Sequence, residues 1–142
     1  MRFWDTSACV CLLVDQEGTE KATSWHKKNP GIWAWWGTAI EAASAICRLE
    51  RDGFLDRAKF AGAMARLKEL SETWSEVQPT PMVRETAIRY LRVHNLRASD
   101  ALQLAAAHIA AEQRPSSLEF VCLDKRLSMA ASKEGFQVLP VP

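Results

Sequence analysis

The chain has 142 residues, enough for one domain with a substantial hydrophobic core. Hydrophobic residues make up 48% of it and charged residues 25%, an ordinary globular composition. Lys and Arg number 18 against 17 Asp and Glu, and the resulting net charge of +1 excludes recognition of a polyanion by the field of the whole protein. Any site for a polyanion must therefore be a local patch.

The cysteines and the first residues indicate the compartment. Cys9, Cys11, Cys47 and Cys122 show neither the C-x-x-C spacing of zinc sites nor an accompanying histidine cluster. We expect free, mostly buried thiols in a reducing cytoplasm, without a signal peptide, because the chain leads straight into a strand-like segment. No apolar run approaches the roughly 20 residues that span a bilayer, so we expect no membrane contact.

Strand and helix signals alternate along the first half of the chain. "RFW" is a short strand that ends at Asp5, and Ser7 is placed to cap a short helix within "TSACVCLLV". A polar surface helix follows from Glu20 to Lys28 and is ended by an Asn-Pro-Gly sequence. "IWAWW" is the second strand, and "TAIEAASAICRLERDG" is a helix that Gly53 closes.

The second half continues this alternation. Three helices are predicted at about 56–70, 80–94 and 99–113, the second of them capped by Thr80 and entered through Pro81. "LEFVCL" is a buried strand followed by Asp124, "KRLSMAASKEG" is a short helix, and "FQVLPV" is the last strand. The pattern predicts a single α/β domain over residues 1–142, with a mainly parallel sheet covered by helices on both faces.

Four acidic residues stand at similar junctions of this predicted fold. Asp5 and Asp124 follow strands, Glu41 lies in the first turn of the helix after "IWAWW", and Asp100 lies in the first turn of "LRASDALQLAAAHIAA". Because ligands of open parallel sheets bind beyond the carboxyl ends of the strands, these side chains could converge. Two carboxylates about 4 Å apart repel by roughly 4 kcal/mol at a dielectric near 20, a repulsion that a hard cation removes. Such a site suits Mg²⁺ or Mn²⁺ and phosphodiester hydrolysis.

Each acid also has an interpretation that needs no metal. Asp5 fits a helix cap or an Asx turn, and Asp100 suits the helix dipole. Thr38 and Glu41 form the capping-box pattern T-A-I-E, and Asp124 fits an ordinary turn. Only the set of four favours a metal site.

The motifs taken together resemble those of PIN domains, and specifically of the VapC toxins of bacterial toxin–antitoxin systems, over almost the whole chain. "FWDTSA" is similar to the opening hydrophobic-D-[ST]-S-A element, and "TAIEAASAICRLERDG" to the helix with the second acid. "LRASDALQLAAA" is similar to the L-R-x-x-D-A-hydrophobic-x-L-A element, and "FVCLDKRLSMAASKEGFQVLPV" to the closing strand, acid, helix and strand. The resemblance implies a three-layer α/β/α sandwich and a metal-dependent endoribonuclease that uses Mg²⁺ or Mn²⁺.

The resemblance also implies roles and partners. By motif, Asp5, Glu41, Asp100 and Asp124 would be the catalytic metal-binding acids, and Ser7 a hydroxyl that orients Asp5 or a metal-bound water. The expected partners are an RNA substrate, an antitoxin protein and a second copy of the chain, with DNA reached only through the antitoxin. The competing interpretation is a non-catalytic PIN module that binds RNA or protein with a degenerate metal site.

A few further residues carry expectations of their own. Cys122 stands where many relatives have Thr or Ser, and since a thiol is a weak donor we expect weaker local support for Asp124. Arg97 and Lys125 are the basic residues expected nearest the site. Among the tryptophans, Trp25 and Trp74 are candidates for a dimer or antitoxin interface, whereas the three of "IWAWW" are expected in the core. A dehalogenase-like phospho-acceptor is disfavoured, because Ser7 stands where that pattern requires a second Asp.

Overall fold

The computed structural model describes residues 1–140, in which five strands alternate with seven helices. The strands are β1 (Arg2–Trp4), β2 (Ile32–Trp35), β3 (Ser75–Val77), β4 (Glu119–Cys122) and β5 (Gln137–Pro140). The helices are α1 (Thr6–Leu13), α2 (Thr19–Lys28), α3 (Thr38–Arg51), α4 (Arg57–Thr73), α5 (Pro81–Val93), α6 (Ala98–Ala110) and α7 (Lys125–Lys133). Residues 141 and 142 end the predicted domain, and residue 141 also ends its last predicted strand; both lie outside the described residues.

The five strands form one parallel sheet in the order β3-β2-β1-β4-β5. The chain builds the sheet outward from β1 through β2 to β3 and then returns to place β4 on the other side of β1. The strand order therefore reverses between β1 and β4, and in such sheets the crevice for ligands opens beyond the carboxyl ends of these two strands.

The strand sequences are apolar on both faces because both faces are covered. Phe3 and Trp4 are adjacent and each is fully buried, so they point into separate cores. Phe3 stacks on Phe120 of β4, with ring centroids 5.4 Å apart, in the core beneath α5, α6 and α7. Trp4 lies in the core formed with α1 to α4. The two cores on one sheet confirm the predicted α/β/α sandwich of PIN-like architecture.

Two structural elements differ from the sequence-based expectation. The strand β3 is not predicted, because its three residues form an edge strand with a single buried side chain, Val77, and give no periodic signal. Helix α6 ends at Ala110 rather than near Gln113, since Glu112 and Gln113 both adopt left-handed backbone, with φ of 52° and 63°. Within the described part of the chain, no helix combines the length and apolarity that crossing a bilayer requires.

The tryptophans divide between core and surface. Trp35 is buried beside Phe3, whereas Trp36 lies beyond the end of β2 and is 45% exposed. Trp74 is buried and donates from Nε1 to Glu76 Oε2 at 3.0 Å, which makes its suggested interface role wrong. Trp25 is half-buried beneath Arg2, whose guanidinium lies 5.3 Å from the ring centre, and its interface role stays a prediction.

Candidate metal centre

Asp5 and Asp124 lie at the ends of the neighbouring strands β1 and β4. The backbone N–H of Asp5 donates to Val121 O at 3.0 Å, which joins the two strand ends. Each carboxylate also caps the helix that follows it: Asp5 accepts from Ser7 N at 3.1 Å, and Asp124 accepts from Leu127 N at 2.8 Å. The cap of α1 is therefore Asp5 and not Ser7, because Ser7 already lies inside the first turn.

Glu41 does not cap its helix. The N-cap of α3 is Gly37 and Thr38 is the first helical residue, so the capping box suggested by T-A-I-E is absent. The Glu41 carboxylate instead accepts hydrogen bonds from Thr6 Oγ1 at 2.5 Å and from Gln103 Nε2 at 2.8 Å. These contacts hold the Glu41 side chain against α1 and α6. In a capping box it would instead have pointed back to the start of α3.

Asp100 lies in the first turn of α6 and combines two features. Its Oδ2 accepts a hydrogen bond from Arg97 N at 3.3 Å, so it does stabilise the helix start. The same side chain lines a cleft at the carboxyl edge of the sheet. Capping and ligand binding are thus compatible at this position.

The structure brings all five predicted site residues to one cleft of about 650 Å³, which we call the acidic cleft. Its defining residues are Asp5, Ser7, Glu41, Asp100 and Asp124. Further polar residues on its wall are Thr6, Gln16, Ser44, Arg48, Asp52, Ser99 and Gln103. The fold therefore brings the four acids together at the carboxyl ends of the strands, as predicted.

The four carboxylates of the acidic cleft share one hydrogen-bonding pattern. Asp5 Oδ2, Glu41 Oε2, Asp100 Oδ2 and Asp124 Oδ1 each accept hydrogen bonds from the protein. The second oxygen of each carboxylate accepts no hydrogen bond from residues 1–140. One oxygen therefore fixes each group while the other is available to a ligand.

The acids also interact through their charges. Asp5 is 5% exposed, and burial raises its pKa to about 6; the hydrogen bonds from Ser7 oppose this rise, and the charges of Glu41 and Asp100 add to it. Burial likewise raises the pKa of Asp100, the hydrogen bond from Arg97 N–H opposes it, and the charge of Asp124 adds to it. The cleft is thus a site of concentrated negative charge that a cation would stabilise.

The donor set fits a hard divalent cation that retains water. Within residues 1–140, no group of three or more Asp, Glu, His or Cys side chains that could hold a metal ion is found. Mg²⁺ does not need such a group, because it keeps several waters and is commonly bound through one or two carboxylates. Oxygen donors held in place on one side and free on the other match that mode of binding.

Ser7 links the two central strands around Asp5. Its Oγ donates to Asp5 Oδ2 at 2.5 Å and accepts from Leu123 N at 3.0 Å. A hydroxyl at this position fixes the Asp5 side chain relative to the end of β4.

Cys122 contacts a different acid from the one expected. Its Sγ lies 3.7 Å from Asp5 Oδ2 and 3.4 Å from the backbone oxygen of Asp124. The Asp124 side chain is supported by Leu127 N, and the expectation that the thiol weakens its local support stays a prediction. Burial raises the pKa of the Cys122 thiol, and the charge of Asp5 adds to the rise, so Asp5 has an uncharged neighbour here.

Gln103 is a site residue that the sequence-based interpretation missed. It is 1% exposed, and its Nε2 lies 2.8 Å from Glu41 Oε2, 2.8 Å from Thr6 Oγ1 and 3.1 Å from Thr38 Oγ1. The amide therefore ties α6 to α1 and α3 directly behind Glu41. The available signal was a polar residue three positions after Asp100, on a helix that is otherwise apolar from Ala101 to Ala107.

Arg97 and Lys125 lie beside the acids, as expected. They line a second hollow of about 430 Å³ that shares Asp100 and Asp124 with the acidic cleft. Positive charge therefore borders the cleft on the side of α6 and α7.

Comparison with known proteins supports the fold. No family model matches the sequence, and no curated protein is similar to it. A toxin–antitoxin complex from Klebsiella pneumoniae is similar in structure, with a TM-score of 0.70 at 14% identity over 100% of this chain and 98% of that chain. VapC20 of Mycobacterium tuberculosis, described as a sarcin–ricin loop cleaving toxin, gives a TM-score of 0.68 at 22% identity, covering 99% and 100% of the two chains. FitAcB from Neisseria gonorrhoeae gives 0.65 at 18% identity, covering 98% and 96%. The chain has the fold of these proteins.

Proposed function

We propose that the chain is a VapC-type toxin of a toxin–antitoxin pair, a cytoplasmic Mg²⁺- or Mn²⁺-dependent endoribonuclease that hydrolyses RNA phosphodiester bonds in the acidic cleft. The observation that carries this proposal is the set of four converging carboxylates, each with one oxygen fixed and one oxygen free. The fold shared with a toxin described as cleaving the sarcin–ricin loop supports the choice of RNA as substrate.

Each residue of the cleft has a proposed task. Asp5, oriented by Ser7, and Asp100, oriented by Arg97 N–H, would hold the cation together with Asp124 and Glu41, directly or through its water molecules. The cation, when bound, neutralises the phosphate and lowers the pKa of a water molecule. Glu41 is held through Oε2, so its Oε1 is available to orient the attacking water and accept its proton.

A non-catalytic module is the second candidate. The lack of a group of three or more metal-binding side chains within residues 1–140 favours it. Against it stand the fixed carboxylates, since a site that only binds RNA gains nothing from concentrating negative charge where phosphates must approach.

The test is RNA cleavage by the purified protein. We expect single-stranded or structured RNA to be cut when Mg²⁺ or Mn²⁺ is present and to stay intact in EDTA, with activity restored by adding the cation back. Cleavage that persists in EDTA would contradict metal dependence. RNA that is bound but never cut with either ion would favour the non-catalytic module.

The proposal includes an antitoxin protein and a homodimer, with DNA contacted only through the antitoxin. The structural similarity to a toxin–antitoxin complex supports the first partner. For the homodimer, α5 provides apolar surface, since Ile88 and Leu91, three positions apart on one side of the helix, are 54% and 41% exposed. An apolar surface of this kind is typical of a protein interface.

Gln103 is proposed to position Glu41 for this chemistry. We expect Gln103→Leu to weaken Mn²⁺ binding about tenfold or more while the melting temperature changes little, because a buried leucine keeps the packing but leaves Glu41 without its amide donor. Isothermal titration calorimetry and thermal denaturation measure the two quantities. The matched control is Gln16→Leu, the same substitution on the wall of the acidic cleft at a residue that donates to Cys11 and not to an acid. Equal Mn²⁺ affinity in Gln103→Leu and wild type would refute this role.

A further inference from the structure

Two further hollows lead away from the acidic cleft along α7. The first, of about 430 Å³, shares Ser99, Asp100 and Asp124 with the cleft. The next, of about 340 Å³, shares Lys125 and Arg126 with the first and extends to Lys133 at the end of the helix. The hollows therefore form a connected path that starts at the acids.

The path is lined by positive charge. Its basic residues are Arg97, Lys125, Arg126 and Lys133, which together we call the α7 track. All four are exposed, and none forms an ion pair with any residue in 1–140. Three of them, Arg97, Lys125 and Arg126, line the first hollow together with Asp100 and Asp124.

The acids near the track do not cancel this charge. Among the described residues, the acids that line the two hollows are Asp100 and Asp124, both part of the acidic cleft. Glu134, at the end of α7, is engaged with His94, whose Nε2 lies 2.7 Å from its Oε2. The track therefore keeps its positive charge although the chain as a whole has a net charge of only +1.

The wall of the cleft opposite α7 is lined by less positive charge. Arg48 of α3 is the basic residue that lines the cleft among residues 1–140, and Asp52, one turn further along, lines it too. A connected path lined by basic side chains thus continues from the cleft toward α7, where it can hold a polyanion that crosses the acids.

We propose that the α7 track binds the phosphates of a single-stranded RNA segment on one side of the bond to be cleaved, an inference that rests on RNA being the substrate. Phosphate contacts of this kind fix the register of a strand without reading its sequence. Val93 and Met129 line the outer hollow and are 64% and 61% exposed, so apolar surface for a base lies between the cations. A duplex would keep its bases stacked away from these side chains, which favours a single strand.

The test measures RNA binding without cleavage. Fluorescence anisotropy of a labelled, unstructured RNA in EDTA, over a series of salt concentrations, compares wild type with the triple variant Lys125→Gln, Arg126→Gln and Lys133→Gln. We expect roughly 30-fold weaker binding or more at low salt, and a salt dependence of log K that is shallower by about 2, since each lost phosphate contact on a single strand contributes about 0.7. Circular dichroism checks that these exposed substitutions leave the fold intact.

The control carries the same change of charge on the other side of the sheet. Lys21→Gln, Lys27→Gln and Lys28→Gln alter exposed residues of α2, which packs in the core opposite α7, and should leave binding unchanged. An equal loss of RNA affinity in both triple variants, or no loss in the α7 variant, would contradict the proposed role of the α7 track in RNA binding. If wild type cleaved RNA and the α7 variant bound it unchanged, the role of the α7 track would be refuted while the proposed nuclease function would stand. Binding that depends on the track without any cleavage in Mg²⁺ would support the track and overturn the nuclease.

Discussion

Replacing Asp100 by Asn is expected to slow metal-dependent RNA cleavage by roughly 10³-fold, because the cation's stabilisation of the transition state amounts to several kcal/mol and a factor of ten corresponds to about 1.4 kcal/mol. The Asn side chain has the same shape, and its oxygen can still accept from Arg97 N, so the start of α6 is preserved. What disappears is the negative charge and the second carboxylate oxygen, which accepts no hydrogen bond from residues 1–140. Single-turnover rates with saturating protein measure the effect on the chemical step.

Asp52→Asn is the matched control for this experiment. Asp52 follows the last residue of α3 and lines the same cleft, yet it is exposed and is not one of the four acids. The substitution removes the same charge from the same cleft, and we expect the cleavage rate of wild type. If Asp52→Asn were as inactive as Asp100→Asn, the loss of cleavage would reflect the total charge of the cleft and not a specific role of Asp100. Equal rates for Asp100→Asn and wild type would refute the assignment of Asp100.

Asp5→Asn is expected to stabilise the metal-free protein. Burial raises the pKa of Asp5 from 3.8 to about 6, which corresponds to about 3 kcal/mol of unfavourable free energy for the ionised group in the fold. Because the folded-state pKa lies above the unfolded one, this penalty grows as the pH rises from about 4 to about 6 and is complete above that range. A neutral isostere avoids it, so we expect Asp5→Asn to be more stable than wild type by about 2 kcal/mol at neutral pH, or roughly 5 °C in melting temperature.

A bound cation should make wild type more stable than Asp5→Asn, the reverse of the order expected without metal. Mg²⁺ or Mn²⁺ that binds only the folded state raises the melting temperature of wild type in proportion to the logarithm of its concentration, and Asp5→Asn should not respond. Thermal denaturation of both proteins, in EDTA and in each cation, at neutral pH and near pH 5, measures these differences in melting temperature. A wild-type protein that is more stable than Asp5→Asn in EDTA, or that shows no response to either cation, would contradict a repulsive acidic site.

Much of the site could be predicted because its residues lie at the ends of strands and the starts of helices, which can be recognised in the sequence. Asp5 and Asp124 follow apolar strands, and Glu41 and Asp100 lie in first turns of helices, so their common edge follows from parallel topology alone. The sandwich itself follows from strands that are apolar on both faces, as Phe3 and Trp4 show.

The rest depends on contacts between distant parts of the chain. The capping box expected at Glu41 is absent because the helix already begins at Thr38, and both Thr38 and Glu41 accept hydrogen bonds from Gln103, which is more than 60 residues away. Cys122 affects Asp5, 117 residues away, and no local pattern could reveal which acid it contacts. Strand β3 forms because its backbone pairs with β2, and its own three residues carry no signal for it.

The central claim is that the four carboxylates form one divalent-cation site, and isothermal titration of Mn²⁺ into the metal-free protein at neutral pH tests it most directly. We predict binding by wild type and by Asp52→Asn, and loss of that binding in Asp5→Asn and in Asp100→Asn. If wild type took up no Mn²⁺, or bound it no more tightly than Asp5→Asn and Asp100→Asn do, the acidic cleft would not be a metal site.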